Sequence, residues 1–108
     1  MNDLRANAIQ YCHTCIQACE NCASSCLREP DMARMTPCIL ADLDCIDACR
    51  STAALIARNS RFAIEQAKFC ATVCQECADI CSQHDHEHCQ VCAAACRQCA
   101  DACLLFAA

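Results

Sequence analysis

Cysteine recurs along most of this chain at alternating steps of three and four, the period of an α-helix. Cys12, Cys15, Cys19, Cys22 and Cys26 follow C-x2-C-x3-C-x2-C-x3-C, and Cys89, Cys92, Cys96, Cys99 and Cys103 repeat that frame. Cys70, Cys74, Cys77 and Cys81 follow C-x3-C-x2-C-x3-C, and Cys38, Cys45 and Cys49 complete the seventeen. At about 100° per residue the first and last sets each span roughly 80° of a helix, the third about 60° and the second about 40°. Each helix therefore carries one stripe of thiols.

The rest of the composition points the same way. No residue is glycine and only Pro30 and Pro37 are proline, which removes the turn vocabulary of a β-protein and of a loop-rich disulfide scaffold. An all-α fold remains, expected as one domain over residues 1–108. Its core has to be built from small residues and sulfur, because the 56% hydrophobic content suffices only with cysteine included.

Helix one is expected from about Asp3 to Leu27, stopped by Arg28-Glu29-Pro30. Thr36-Pro37 reads as an N-cap with proline at the first helical position, after a short turn over Asp31–Met35, and helix two continues to about Arg58. Ser60 is the candidate N-cap of helix three, which runs to about Gln83, and helix four extends from about Glu87 to Leu105. Short connections favour an antiparallel, up-down-up-down four-helix bundle. That topology gathers Cys26, Met32, Met35, Cys38, Cys81, His84, His86, His88 and Cys89 at one mouth. It sends Tyr11, Leu55, Ile56, Phe62, Phe69, Leu104, Leu105 and Phe106 to the other end, where they should form an apolar plug.

The start of the chain, Met1-Asn2-Asp3-Leu4-Arg5, has no basic-then-apolar leader, and no run of eighteen apolar residues occurs, so a cytoplasmic protein is expected. A formal net charge of −5 without a basic cluster argues against nucleic acid or an anionic membrane as partner. In a reducing compartment the cysteines are thiols. Geometry agrees, since helical neighbours have Cβ atoms about 5–6 Å apart, while a disulfide wants roughly 3.5–4.5 Å.

Charge then selects the metal. If all seventeen thiols ionise, about four tetrahedral Zn²⁺ ions would leave roughly nine negative charges buried, whereas about seventeen monovalent ions would leave none. Thiolates and thioethers select soft Cu(I). A near-linear S–Cu–S unit of about 4.6 Å spans neighbours along a stripe, and shared thiolates allow close to one ion per cysteine. A tetrahedral site needs four sulfurs from several helices at one level, which a bundle is expected to offer at only a few levels.

Competing readings fit less well. Buried cysteine often only packs narrow helices, but not in this number at this period. A ferredoxin cluster wants two successive steps of three, and a thioredoxin-like CxxC belongs at a helix start. Two alternatives stay open: a metallothionein-like Zn/Cd buffer and a thiol redox protein. His84, His86 and His88, with Met32 and Met35, are candidate neutral, exchangeable ligands that receive Cu(I). The plainer reading makes the histidines a solvated, helix-capping connection and the methionines a cover for the core.

The CxxCxxxCxxCxxxC stripes, the C-x6-C-x3-C of helix two and His84-Asp85-His86-Glu87-His88-Cys89 together resemble the four-helix-bundle copper storage proteins, in the cytosolic branch without an export signal. The resemblance covers essentially the whole chain. It implies core thiolates holding many Cu(I) ions, assembly into a homotetramer, and storage or detoxification of cytosolic copper rather than catalysis. A copper chaperone or exporter is the partner expected of such a store. Asp42 stands where the thiol stripe of helix two could continue, so fewer ions are expected on that side.

Overall fold

A computed structural model describes residues 3–108; Met1 and Asn2, read above for a leader, lie outside the described residues. Four helices follow one another, α1 (Leu4–Cys26), α2 (Met32–Ala57), α3 (Ala63–Cys81) and α4 (Glu87–Ala107), with no strand among the described residues. Each packs against its neighbour in sequence, and α4 closes back against α1. The result is an antiparallel four-helix bundle measuring 44 × 23 × 17 Å. None of the described helices is long and apolar enough to cross a membrane.

Asp3 starts α1 as expected of an N-cap, its carboxylate accepting the Ala6 N–H at 3.0 Å. The starts of α2 and α3 differ from expectation. Thr36 is not an N-cap: α2 begins at Met32 and runs through Pro37. Met35 and Cys38 are three apart and both buried, so the inward phase of α2 is set before the proline. The N–H that Pro37 lacks would have met the carbonyl of Ala33, an exposed residue of the first turn where water can satisfy it. Ser60 does not cap α3 either, because it completes the end of α2. Asn59 takes a left-handed φ of 55°. The Ser60 N–H reaches the Leu55 carbonyl at 2.9 Å and the Asn59 N–H reaches that of Ile56 at 3.1 Å. This pairing of the last turn's carbonyls is a Schellman motif. The Ser60 hydroxyl accepts from the Phe62 N–H at 3.1 Å, and α3 starts at Ala63.

All seventeen cysteines are buried, interleaved with small alanines such as Ala67, Ala71, Ala78 and Ala100 that let the helices approach closely. A separate cluster of Ala8, Ile56 and Ala63, covered by Ile9, Leu55 and Phe106, closes the end away from the histidines. The expected plug is therefore smaller than the residues placed there. Tyr11, Phe62, Phe69, Leu104 and Leu105 are exposed. Tyr11, Phe69 and Leu104 each adjoin a cysteine, and a stripe that points its thiols inward turns the next residue about 100° away. Phe62 lies in the connection, under the Arg61 guanidinium at 4.8 Å.

Ile56 is the largest fully buried side chain at that end. Ile56→Ala is expected to destabilise the metal-free protein by about 2–5 kcal/mol, measured by chemical denaturation, while leaving metal capacity unchanged because no thiol is lost.

Candidate metal-binding core

The four stripes converge on one axis. Along a helix the i,i+4 sulfurs stand close, as in Cys15–Cys19 at 3.9 Å and Cys45–Cys49 at 4.0 Å. Contacts across helices are at least as short: Cys45–Cys74 at 3.5 Å, Cys15–Cys45 at 3.6 Å, Cys19–Cys92 and Cys22–Cys38 at 3.7 Å. Four-sulfur groups within 4.8 Å of one another recur along the bundle, among them Cys12/Cys49/Cys70/Cys99, Cys15/Cys19/Cys45/Cys96 and Cys22/Cys26/Cys38/Cys89. Four-sulfur levels are thus more frequent than the sequence suggested. They are not independent, since Cys15, Cys19, Cys49, Cys96 and Cys99 each belong to more than one. A sulfur common to two groups must bridge ions if both are filled.

At separations up to 4.0 Å these contacts fall into two networks, which approach within 4.8 Å where Cys77 stands near Cys19, Cys92 and Cys96. Cys22, Cys26, Cys38, Cys77, Cys81 and Cys89 form one near the mouth, linked by contacts such as Cys26–Cys89 at 3.9 Å, Cys38–Cys81 at 2.7 Å and Cys77–Cys81 at 4.0 Å. The other cysteines form the deeper network, from Cys19 and Cys92 to Cys12 and Cys103. Asp42 joins them. Fully buried, it accepts through Oδ1 from Cys92 at 3.2 Å, Cys77 at 3.4 Å and Cys81 at 3.5 Å, with Cys38 3.9 Å from Oδ2. Helical phase put this carboxyl in the stripe of α2, four after Cys38 and three before Cys45; its role as the link between networks depends on α3 and α4, which the stripe of α2 does not reveal.

The mouth brings some candidates together and not others. His88 Nδ1 lies 3.5 Å from Cys89 Sγ and 3.8 Å from Cys26 Sγ. His86 stacks on it, ring centroids 5.3 Å apart, and turns Nδ1 to Glu29 at 2.9 Å and Nε2 to Asp31 at 3.6 Å. His88 Nε2 meets the same Glu29 oxygen at 3.0 Å. His84 engages through its backbone, where its carbonyl accepts from Gln90 Nε2 at 2.6 Å. Met35 is buried in the sulfur core, whereas Met32 is 47% exposed. Glu29 carried no signal in the sequence, because only the fold sets it beside residues 86 and 88.

The electrostatics follow from dryness. Burial above all pushes the Cys26 thiol up to about 11. Burial likewise raises Cys89, further than Cys26. Burial above all pushes Asp42 up to about 10, so it is a neutral carboxyl at pH 7. In the unfolded chain Asp42 ionises near 4, hence the unfolded state binds fewer protons and stability falls as pH rises. Metal-free protein should lose stability between about pH 4 and pH 8 by up to about 1.4 kcal/mol per pH unit from this one group. Asp42→Asn should flatten that slope in denaturation curves taken across the range.

The comparisons with known proteins agree with this core. The family model described as copper storage protein matches residues 1–108. An uncharacterized cysteine-rich protein of Bacillus subtilis, YhjQ, is 38% identical over 82 residues, covering 76% of each chain. The Cu(I)-bound copper storage protein BsCsp3 superposes with a TM-score of 0.93 at 36% identity, over 98% of this chain and 100% of its own. A cytosolic copper storage protein from Streptomyces lividans, in a structure with five coppers, superposes with a TM-score of 0.93 at 44% identity, over 96% of this chain and 92% of its own. With its four thiol stripes turned onto one axis and its full length matched, the chain belongs to the copper storage protein family.

Proposed function

We propose that this chain is a cytosolic store that takes up many Cu(I) ions on its core thiolates, filling from the histidine mouth inward. The observation that carries the proposal is a buried set of seventeen thiols with no buried lysine or arginine among the described residues. Their negative charge on ionisation has to be matched inside the core, and a monovalent soft ion matches it one for one. Divalent ions in the same four-sulfur groups leave excess charge, which disfavours the Zn/Cd reading. The chain acts as one storage unit over residues 1–108 and performs no catalysis.

At the mouth, His88, Cys26 and Cys89 form a triangle with edges of 3.5, 3.8 and 3.9 Å. A trigonal ion with bonds of about 2.0 Å to nitrogen and 2.3 Å to sulfur wants edges of about 3.7 and 4.0 Å. A copper ion fits there with little movement. Buried Met35 supports the receiving role as a neutral thioether ligand, and His84, His86 and Met32 complete the rim. Assembly into a homotetramer and exchange with a copper chaperone or exporter accord with this role and extend it beyond the single chain.

An anaerobic Cu(I) titration of reduced protein against a competing chelator tests the reading. About fifteen or more tightly held ions per chain are expected if thiolates are shared; saturation near four, or disulfide formation instead of binding, contradicts it. Protons compete for thiolates, so affinity should weaken as pH falls from 8 to 5, and a flat profile counts against the mechanism. Replacing His84, His86 and His88 together should slow uptake while capacity stays nearly constant, as followed by stopped-flow absorbance and metal analysis.

A further inference from the structure

Glu29 sits in the α1–α2 connection, where its N–H bonds to the Cys26 carbonyl at 3.2 Å and Pro30 follows. Its carboxylate is largely covered, and a single oxygen, Oε2, stands 2.9 Å from His86 Nδ1 and 3.0 Å from His88 Nε2. An ionised carboxylate only accepts hydrogen bonds, so the nitrogens it meets are the ones that carry protons. For His88 that places the proton on Nε2 and leaves the Nδ1 lone pair toward Cys26 and Cys89. His86 is held differently: both nitrogens face carboxylates, and its ring lies 6° from parallel against His88.

We infer that Glu29 is a positioning residue for copper uptake, holding the His88 ring with Nδ1 aimed at the Cys26–Cys89 pair, and that His86 braces this arrangement rather than binding the ion. Metal-ligating histidines generally donate their second ring N–H to a carboxylate or carbonyl that fixes orientation and raises basicity. Here that partner is in place before metal arrives, and it is shared between two rings. Turning the His88 ring by 180° about χ2 would point Cδ2–H at the thiols and Cε1–H at Glu29; that orientation loses the Glu29 bond, so the bond disfavours it. This inference rests on the reading that copper enters at the histidine mouth.

Two measurements test it. In the metal-free, 15N-labelled protein, the His88 Nε2–H should give a protected ring N–H signal. Glu29→Gln, whose amide oxygen still accepts, should retain that signal, and Glu29→Ala should lose it. Stopped-flow uptake of Cu(I) should slow about tenfold in Glu29→Ala and be largely rescued in Glu29→Gln, with capacity unchanged. The decisive comparison is a double-mutant cycle, because a residue acting through His88 has no further effect once His88 is gone. Glu29→Ala should therefore be nearly silent in a His88→Ala background. If it slows uptake equally in both backgrounds, or if the ring proton sits on Nδ1, the positioning role is overturned while the mouth remains. If His88→Ala alone leaves the uptake rate unchanged, copper does not enter through this histidine and both readings fall.

Discussion

Everything in this bundle depends on packing seventeen thiols into a core in which no lysine or arginine is buried among the described residues. Desolvation makes each thiolate costly there, so the metal-free core stays together as neutral S–H groups in contact with one another. Neutrality lets sulfur act as a small hydrophobe and hold the fold before metal arrives. The same condition selects the cargo. An ion that replaces one proton with one positive charge leaves the core electrically as it was, and Cu(I) combines that charge with affinity for thiolate.

The dimensions follow from the same constraint. Sulfurs no more than 3.9 Å apart in the contacts across helices require backbones close together, which alanine between the cysteines permits and larger residues would prevent. The two ends then take different chemistry. Ile56 and its neighbours close one, while the other presents an imidazole nitrogen to a thiol pair and holds the ring from outside with a carboxylate. Asp42 stands between the mouth thiols and the deeper ones, an oxygen surrounded by sulfur.

Periodicity made the bundle and its thiol core legible in the sequence, because cysteine at steps of three and four marks an inward face with little ambiguity. Helix starts were less legible. Thr36-Pro37 carries a strong local start signal, yet the buried phase of Met35 extends α2 past it; Ser60 resembles a cap but completes the preceding helix around Asn59. Apolar residues assigned to the closed end were placed by position along the helix and not by direction around it, so Tyr11, Phe69 and Leu104 proved to face outward. The relation of Glu29 to His86 and His88 spans some sixty positions and arises only when α1 and α4 are side by side.

The most direct test of a neutral thiol core exchanging protons for copper is to count those protons. Cu(I) would be delivered anaerobically as a complex of a neutral, non-titrating ligand, with base uptake recorded at constant pH near 7. Neutral buried thiols predict release approaching one proton per copper at full loading. Release near zero per copper would mean that the thiolates exist before metal binds, and would contradict the account.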